Sequence, residues 1–267
     1  ESGRYALAGE NRSFSLQKQQ YLQVRAANVV RPVIYGKFNI TVCSGSQLVL
    51  DGLLIDGSLV LKGESKEQNP QAEIVLRHCT VMSGKPRNGE SPPVRQSVEG
   101  ERHHRSHQED SSPSLELTSI GRKVVIESSI VGPVRVSQHE VRTEPIHIRV
   151  INSIIDAGGD EATAVSAPND EPAHAVLCIE RSTILGKVRA HAIDAAVNTI
   201  FTGEVSVKRR QRGEVRFCYM PPKSRTPRQY KCQPDLTAQD VETRLGEEIK
   251  RKPMPEDIEA AREVVRN

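Results

Sequence analysis

One stretch recurs along this chain and limits what it can fold into. Leu48-Val-Leu-Asp-Gly-Leu-Leu-Ile-Asp-Gly57, followed by Ser58-Leu-Val-Leu-Lys62, has counterparts at 74–84, 124–132, 148–158, 178–186 and 196–203. Each carries an aliphatic pair, a short polar step, a second aliphatic pair and a closing glycine. By subtraction, the glycines at 57, 84, 132, 158, 186 and 203 lie 27, 48, 26, 28 and 17 residues apart. The interval of 48 falls to about one period once the polar segment at 85–113 is set aside. A period in the twenties is that of a solenoid.

Within a unit the aliphatics alternate or form short β-branched blocks, as in Val124-Val125-Ile126 and Val134-Arg135-Val136. That is strand patterning, and helical spacing does not fit it. Glycine after each second block supplies a positive φ or a tight turn where the chain changes direction. The economical architecture is an all-β, parallel β-helix solenoid. A single coil cannot bury its inward aliphatics, whereas stacked coils build a continuous core of Val, Ile and Leu. Ser129, Asn152, Ser153, Ser182, Thr183, Asn198 and Thr199 fall at matching places, where they either stack in hydrogen-bonded rows or act as ordinary turn formers.

A chain of 267 residues suffices for one substantial core, and repetition favours one domain: a β-helix over 1–234 with an insertion at about 85–113, then a helical tail, cap or linker over 235–267. With 37 basic and 34 acidic residues the net charge is +3, so no global field argues for nucleic acid. No apolar run reaches the roughly 18–20 residues of a membrane span, and no signal-peptide core is visible at the N-terminus. The expected location is the cytoplasm or an assembled extracellular particle. Five scattered cysteines, Cys43, Cys79, Cys178, Cys218 and Cys232, form no C-x-x-C and read as buried thiols in a reducing compartment.

Residues 21–28 and 38–42 make the first full rung, and something must cover the open end of the coil stack. From 84 to about 113, Gly, Pro, Ser, Glu, Arg and His replace the aliphatics, the composition of a mobile surface insertion. His103, His104 and His107 lie there beside Glu101, Glu109 and Asp110, a grouping chemically able to hold a transition metal but more characteristic of adventitious binding. His147 falls on the strand face opposite Ile146 and Ile148. Lys208-Arg-Arg-Gln-Arg212, without interleaved aromatics, reads as a solvated turn or as partners for nearby acids. At 215–234 an aromatic and proline-rich segment departs from the repeat and reads as a last strand folding across the end of the stack. Beyond Asp235 the pattern is helical, with Thr237 and Pro255 near helix starts.

Arg216-Phe-Cys-Tyr-Met-Pro-Pro-Lys-Ser-Arg-Thr-Pro-Arg-Gln-Tyr-Lys-Cys-Gln-Pro234, together with Arg25-Ala-Ala-Asn28, Arg31-Pro32 and the repeats, resembles a group of bacterial right-handed parallel β-helix proteins, pectin-lyase-like in fold. That group is associated with phage-tail-like, contractile-injection gene clusters, and the likeness runs from about Gln20 to Pro234. The resemblance implies a right-handed coil and no transferable catalytic motif.

Nucleophilic triads, phosphate-binding loops and dinucleotide fingerprints are absent from the sequence. Lyase-like β-helices cleave acidic polysaccharides with carboxylates, calcium and arginine on one long face; Asp51 with Asp56, and Asp156 with Asp160, are the candidates here, although Asp before Gly is also common turn chemistry. The expectation is a non-catalytic structural component of a larger assembly, without cofactor, metal or assigned site residues, making protein contacts and able to form homo-oligomers. The second reading is a polysaccharide-binding or lyase-like β-helix enzyme.

Overall fold

The computed structural model describes residues 3–6, 13–64, 71–82, 113–138 and 143–249. Within them 22 strands join one continuous sheet, and every pairing between strands is parallel. Parallel neighbours about one coil apart in sequence make a parallel β-helix, as the repeat predicts.

The pairings sort the strands into three faces. The first stacks Tyr21–Arg25, Gln47–Asp51, Gln71–Arg77, Gly121–Glu127, Ile146–Ile151, Ala173–Glu180, the later part of Lys187–Val197, Glu214–Arg216 and Arg228–Tyr230. The second stacks Arg4–Ala6, the first parts of Val33–Val42 and Leu54–Gly63, then Thr80–Met82, Ile130–Val131, Ile154–Asp156, Thr183–Leu185 and Ile200–Phe201. The third runs from Ser13–Leu16 through the ends of those two long strands to Leu115–Thr118, Val134–Ser137, Thr163–Ser166, the start of Lys187–Val197, and Val205–Arg209.

In-register stacking sets like on like. Leu50, Leu76, Ile126, Val150, Ile179, Ala196 and Val215 form one inward column on the first face. Ile55, Val81, Val131, Ile155, Ile184 and Phe201 form another on the second, and all these side chains are buried. Each coil therefore completes the core of the next, which is why no coil holds together alone.

Two corners carry the turn chemistry. Between the first and second faces the chain reverses in two residues, of which the first has positive φ: Gly52, His78, Ser128, Asn152, Arg181, Asn198, Phe217 and Lys231. The second points inward and is buried: Leu53, Cys79, Ser129, Ser153, Ser182, Thr199, Cys218 and Cys232. Here the row of polar residues is real. Cys79 N donates to Ser129 Oγ at 3.0 Å, Ser129 N to Ser153 Oγ at 3.1 Å, and Ser153 N to Ser182 Oγ at 3.1 Å. Ser153 Oγ in turn donates to Ile151 O at 2.7 Å. Of the expected row members, Asn152 and Asn198 instead occupy the positive-φ position, and Thr183 lies on the following strand.

At the corner between the second and third faces, the repeat glycines serve space as much as conformation. Gly57 and Gly186 have φ of 150° and 116°, but Gly132 and Gly203 are not in the left-handed region. A Cβ on Gly203 would meet Gly186 C at 2.3 Å and Lys187 N at 2.5 Å, both backbone atoms of the adjacent coil. Corner backbones stacked this closely leave no room for a side chain.

The C-terminal segment corrects one expectation. Residues 215–234 do not leave the stack: Glu214–Arg216 and Arg228–Tyr230 add to the first face, and Tyr219 bridges both Ile200 and Gln233. The reason lies in the turn, since Phe217-Cys218 and Lys231-Cys232 repeat the left-handed-then-buried pair of the preceding coils. The helix Asp235–Ile249 follows, with Ala238 buried and Leu236 and Val241 half-buried. Gln233 Oε1 accepts from Thr237 Oγ1 at 2.6 Å and so secures the first turn. The expected insertion at about 85–113 lies outside the described residues up to 112, as does the helix start expected near Pro255.

Two stability outcomes follow from the corners. Gly203→Ala lowers the denaturation midpoint by an amount corresponding to about 1–3 kcal/mol, because backbone must move, while Gly159→Ala, with open space around its Cβ, leaves it unchanged. Ser153→Ala strips Ser129 N of its acceptor and costs about 1–3 kcal/mol, whereas Ser153→Cys costs less, since Cys79, Cys218 and Cys232 fill the same place in their own coils. Chemical denaturation followed by circular dichroism measures both.

Candidate functional site

Three outward columns line the first face. The one nearest the two-residue turn reads Arg25, Asp51, Arg77, Glu127, Ile151, Glu180, Val197, Arg216 and Tyr230. Opposite charges one coil apart sit within reach, and they pair. Arg77 Nε lies 3.0 Å from Glu127, Arg149 Nη2 2.9 Å from Glu180, and Arg25 Nε 3.8 Å from Asp51. His78 Nδ1 lies 3.0 Å from Asp51, and Arg216 Nη2 2.7 Å from Glu214. Exposed pairs of this kind add only about 0–1 kcal/mol each. Their larger effect here is that each of these carboxylates already has a cationic neighbour.

Further along the same face two shallow depressions of about 330 and 490 Å³ share His147 and Val176, and so form one groove. The smaller is bordered by Arg122, Lys123, His147, Arg149, Cys178 and Asp194 over a floor that includes Ile148 and Val176. The larger adds Glu144, His174, His191, Arg209 and Arg212. His174 and His191, from adjacent coils, meet edge to face with centroids 5.3 Å apart, and His174 Nε2 lies 2.8 Å from Thr143 O. Arg212 Nε is 3.1 Å from Asp194, and Lys123 Nζ is 3.9 Å from Glu73. The groove is thus lined by both signs, Arg122, Lys123, Arg149, Arg209 and Arg212 with Glu144 and Asp194, and Lys123, Arg149 and Arg212 each have an acidic neighbour.

The sequence candidates are scattered. Asp51 ends a strand of the first face, whereas Asp56, across the turn, lies on the second. Asp156 Oδ1 accepts from Gly158 N at 2.7 Å as turn chemistry, and Asp160 is exposed in the following turn. Neither pair forms a carboxylate dyad across a groove. His147 is exposed with Ile146 and Ile148 buried, as its position in the strand predicts, and it lines both depressions. The basic run ends in Arg212 beside an acid, Asp194. The His103, His104, His107, Glu101, Glu109 and Asp110 grouping lies outside the described residues; among the described ones no set of three or more His, Cys, Asp or Glu is placed to hold a metal ion. Also among them, no helix is long and apolar enough to cross a membrane.

Single-sequence patterning did not reveal two features. The groove draws on coils distant in sequence, and only an exact register shows that Arg122, His147, Val176 and Asp194 are neighbours. The second is a column on the second face that runs in register from Arg4 and Val33 through Leu54, Thr80, Ile130, Ile154, Thr183, Ile200 and Tyr219 to Gln233, uncharged from Val33 onward. Ile130, Ile154, Ile200 and Tyr219 are 41%, 37%, 50% and 44% exposed. The signal was present as the residue following each buried turn residue, once the turns are aligned.

The cysteines are free, with Cys43, Cys79, Cys218 and Cys232 buried and Cys178 half-buried in the groove. Burial pushes the Cys79 thiol above its ordinary range. The hydrogen bond shared with Cys232, and then burial, do the same for Cys218, and that bond in turn holds Cys232 below the ordinary range, while burial and the neighbouring Glu180 raise Cys178.

No family model matches this chain, nor does any curated protein or solved structure.

The thiol environments make a labelling prediction. At mildly alkaline pH, Cys178 is the first of the five to react with a maleimide, more slowly than a free thiol; Cys79 and Cys218 react only on unfolding, as mass spectrometry of the labelled chain reports. The raised Cys79 value also fixes a sign: its contribution is fully present below the ordinary thiol range and is lost as pH rises above it, where the unfolded chain ionises first. The share of stability held by Cys79 therefore falls on that alkaline limb.

Proposed function

We propose that this chain is a non-catalytic, rigid β-helix component of a larger bacterial assembly, used for protein–protein contacts through its lateral faces. The observation that carries the reading is the pairing of carboxylates on the first face. A lyase or hydrolase of acidic glycans needs carboxylates left free to hold calcium or to move protons. Here Asp51, Glu127, Glu180 and Glu214 each lie within 4 Å of a cationic side chain, and the Asp51/Asp56 and Asp156/Asp160 candidates form no dyad. Assignment to a phage-tail-like, contractile-injection particle rests on the resemblance of 216–234 and the repeats to that group. Its test is co-purification from the source organism, with other particle proteins expected in the eluate.

The groove supports a second reading, binding of an acidic polysaccharide, since Arg122, Lys123, His147 and Arg149 border it. The two readings separate in one assay. Incubation with polygalacturonate and calcium is expected to release no unsaturated product, measured by absorbance of the new double bond. Measurable release would overturn the scaffold reading. Retardation by the same polymer in affinity electrophoresis, lost in Arg122→Ala/Lys123→Ala, would favour the second reading as a binder without cleavage.

A further inference from the structure

We infer that Cys218 and Cys232 form a redox couple in the last two coils: a peroxide converts the two thiols to a disulfide that fastens one coil to the other, and a dithiol reductant releases it. The inference goes beyond the scaffold reading and does not rest on it.

Register places the two residues. Arg216 pairs with Tyr230 on one side of the turn and Tyr219 with Gln233 on the other, so Cys232 lies over Cys218. Gln233 N donates to Cys218 O at 2.8 Å and closes the corner between them. Parallel neighbours stand about 4.7–4.9 Å apart, inside the roughly 4.4–6.8 Å that a disulfide spans between Cα atoms. The side chains converge as well. Both are buried, 1% and 3% exposed, and Cys232 Sγ reaches back to Val215 O of the preceding coil at 3.6 Å. There it accepts hydrogen bonds from the thiol and from the backbone N–H of Cys218. Among the described residues, no other neighbouring coils set two cysteines together in the buried turn row: Cys79 lies between Leu53 and Ser129, and Thr199 precedes Cys218.

Those hydrogen bonds divide the roles. Donors aimed at Cys232 Sγ favour its thiolate, while Cys218, as a donor, keeps its proton. The Cys232 thiolate attacks one oxygen of hydrogen peroxide, the O–O bond breaks, hydroxide leaves, and a sulfenic acid remains. Cys218 then attacks Cys232 Sγ, the S–O bond breaks, and the departing hydroxide leaves as water with the Cys218 proton. Two electrons pass from the sulfurs to the peroxide, one disulfide forms, and the two thiol protons end in two waters. A dithiol reverses the bond by exchange.

Position gives the bond its effect. Arg228–Tyr230 pairs along one edge alone, with Glu214–Arg216, so this coil lacks the second neighbour that earlier coils have. The helix Asp235–Ile249 hangs from it, since Leu236 N donates to Cys232 O at 2.9 Å. End units of a solenoid open first. A disulfide closing a loop of about 15 residues limits that opening, so the oxidised chain has a fixed end and the reduced chain a looser one.

The test is a slight excess of hydrogen peroxide on the folded full chain, followed by blocking of free thiols and mass spectrometry of the tryptic peptides. The expected product is a peptide pair joined through Cys218 and Cys232, two hydrogens lighter than the thiols, formed while Cys79 stays reduced and cleaved again by dithiothreitol. With the bond in place, amide hydrogen exchange at Arg228–Tyr230 slows about tenfold or more, and Cys232→Ser treated in the same way shows no such change. Cys218→Ser still oxidises at Cys232, whereas Cys232→Ser leaves Cys218 a thiol; serine already fills this place in other coils, as Ser129 and Ser153 do. The wild-type measurements do not depend on either variant folding. A chain that acquires no Cys218–Cys232 link at a peroxide level that oxidises the half-buried Cys178 overturns the inference. So does a link that forms only in urea, or a linked chain whose exchange at Arg228–Tyr230 is unchanged.

Discussion

Coil-on-coil register governs this molecule. Because every strand pairing among the described residues is parallel, and in step except for shifts where Lys187–Val197 meets Thr163–Ser166 and Ala173–Glu180, most side chains sit above a counterpart one coil earlier, and a position has to satisfy a neighbour of its own kind. Leu50, Leu76, Ile126, Val150 and Ile179 can exchange shapes within a column provided each remains apolar and fills its layer. The same rule fixes the turns. A left-handed residue above a left-handed residue lets the backbone hydrogen bonds of the corner continue upward, as Ser128 N does to Ile151 O at 2.9 Å and Asn152 N to Glu180 O at 3.1 Å.

This explains why bulky residues accept a conformation that usually falls to glycine or asparagine. Arg181, Phe217 and Lys231 have φ of 47°, 54° and 49° in the turn where Gly52 has 73°. A left-handed conformation at a non-glycine costs roughly 1–2 kcal/mol. The hydrogen bonds from Arg181 N to Val197 O and from Phe217 N to Tyr230 O in the next coil, and burial of the residue that follows each turn residue, offset that cost. The buried residue shows why serine, threonine and cysteine interchange there. Each is small, and each can donate from its side chain to a carbonyl two residues back: Ser182 Oγ to Glu180 O at 2.8 Å, Thr199 Oγ1 to Val197 O at 3.1 Å, Cys218 Sγ to Arg216 O at 3.2 Å.

Much of this architecture is legible in the sequence because core and corner are repeated signals. The aliphatic blocks at 124–126, 148–150 and 177–179 announce strands, and the glycines at 57, 132, 186 and 203 mark a corner. What hides the rest is variation in coil length. Ile179, Ala196 and Val215 occupy successive coils, by subtraction only 17 and 19 residues apart, so the repeat seems to dissolve just where the coils contract. That is why 215–234 reads as a departure. Aligning on the turn pair, His78-Cys79 with Phe217-Cys218 and Lys231-Cys232, instead of on the glycine, recovers these coils, and it also shows the cysteines to be members of the serine row.

Outward positions obey register without obeying a common chemistry, and this decides how the faces differ. On the first face, neighbouring coils alternate sign, as Arg25, Asp51, Arg77 and Glu127 do, so stacking places each charge against its opposite and the surface largely neutralises itself. On the second, the corresponding freedom is used to set Ile130, Ile154 and Ile200 in line, with Thr183 between the last two, where stacking brings separate exposed side chains into one uncharged row. One isoleucine left on a surface has no consequence, but a column of them multiplies with every coil. A solenoid thus turns a modest bias at one position of the repeat into an extended surface property, and the direction of that bias, charged on one face and largely apolar on the other, gives a single β-helix two sides of different surface chemistry.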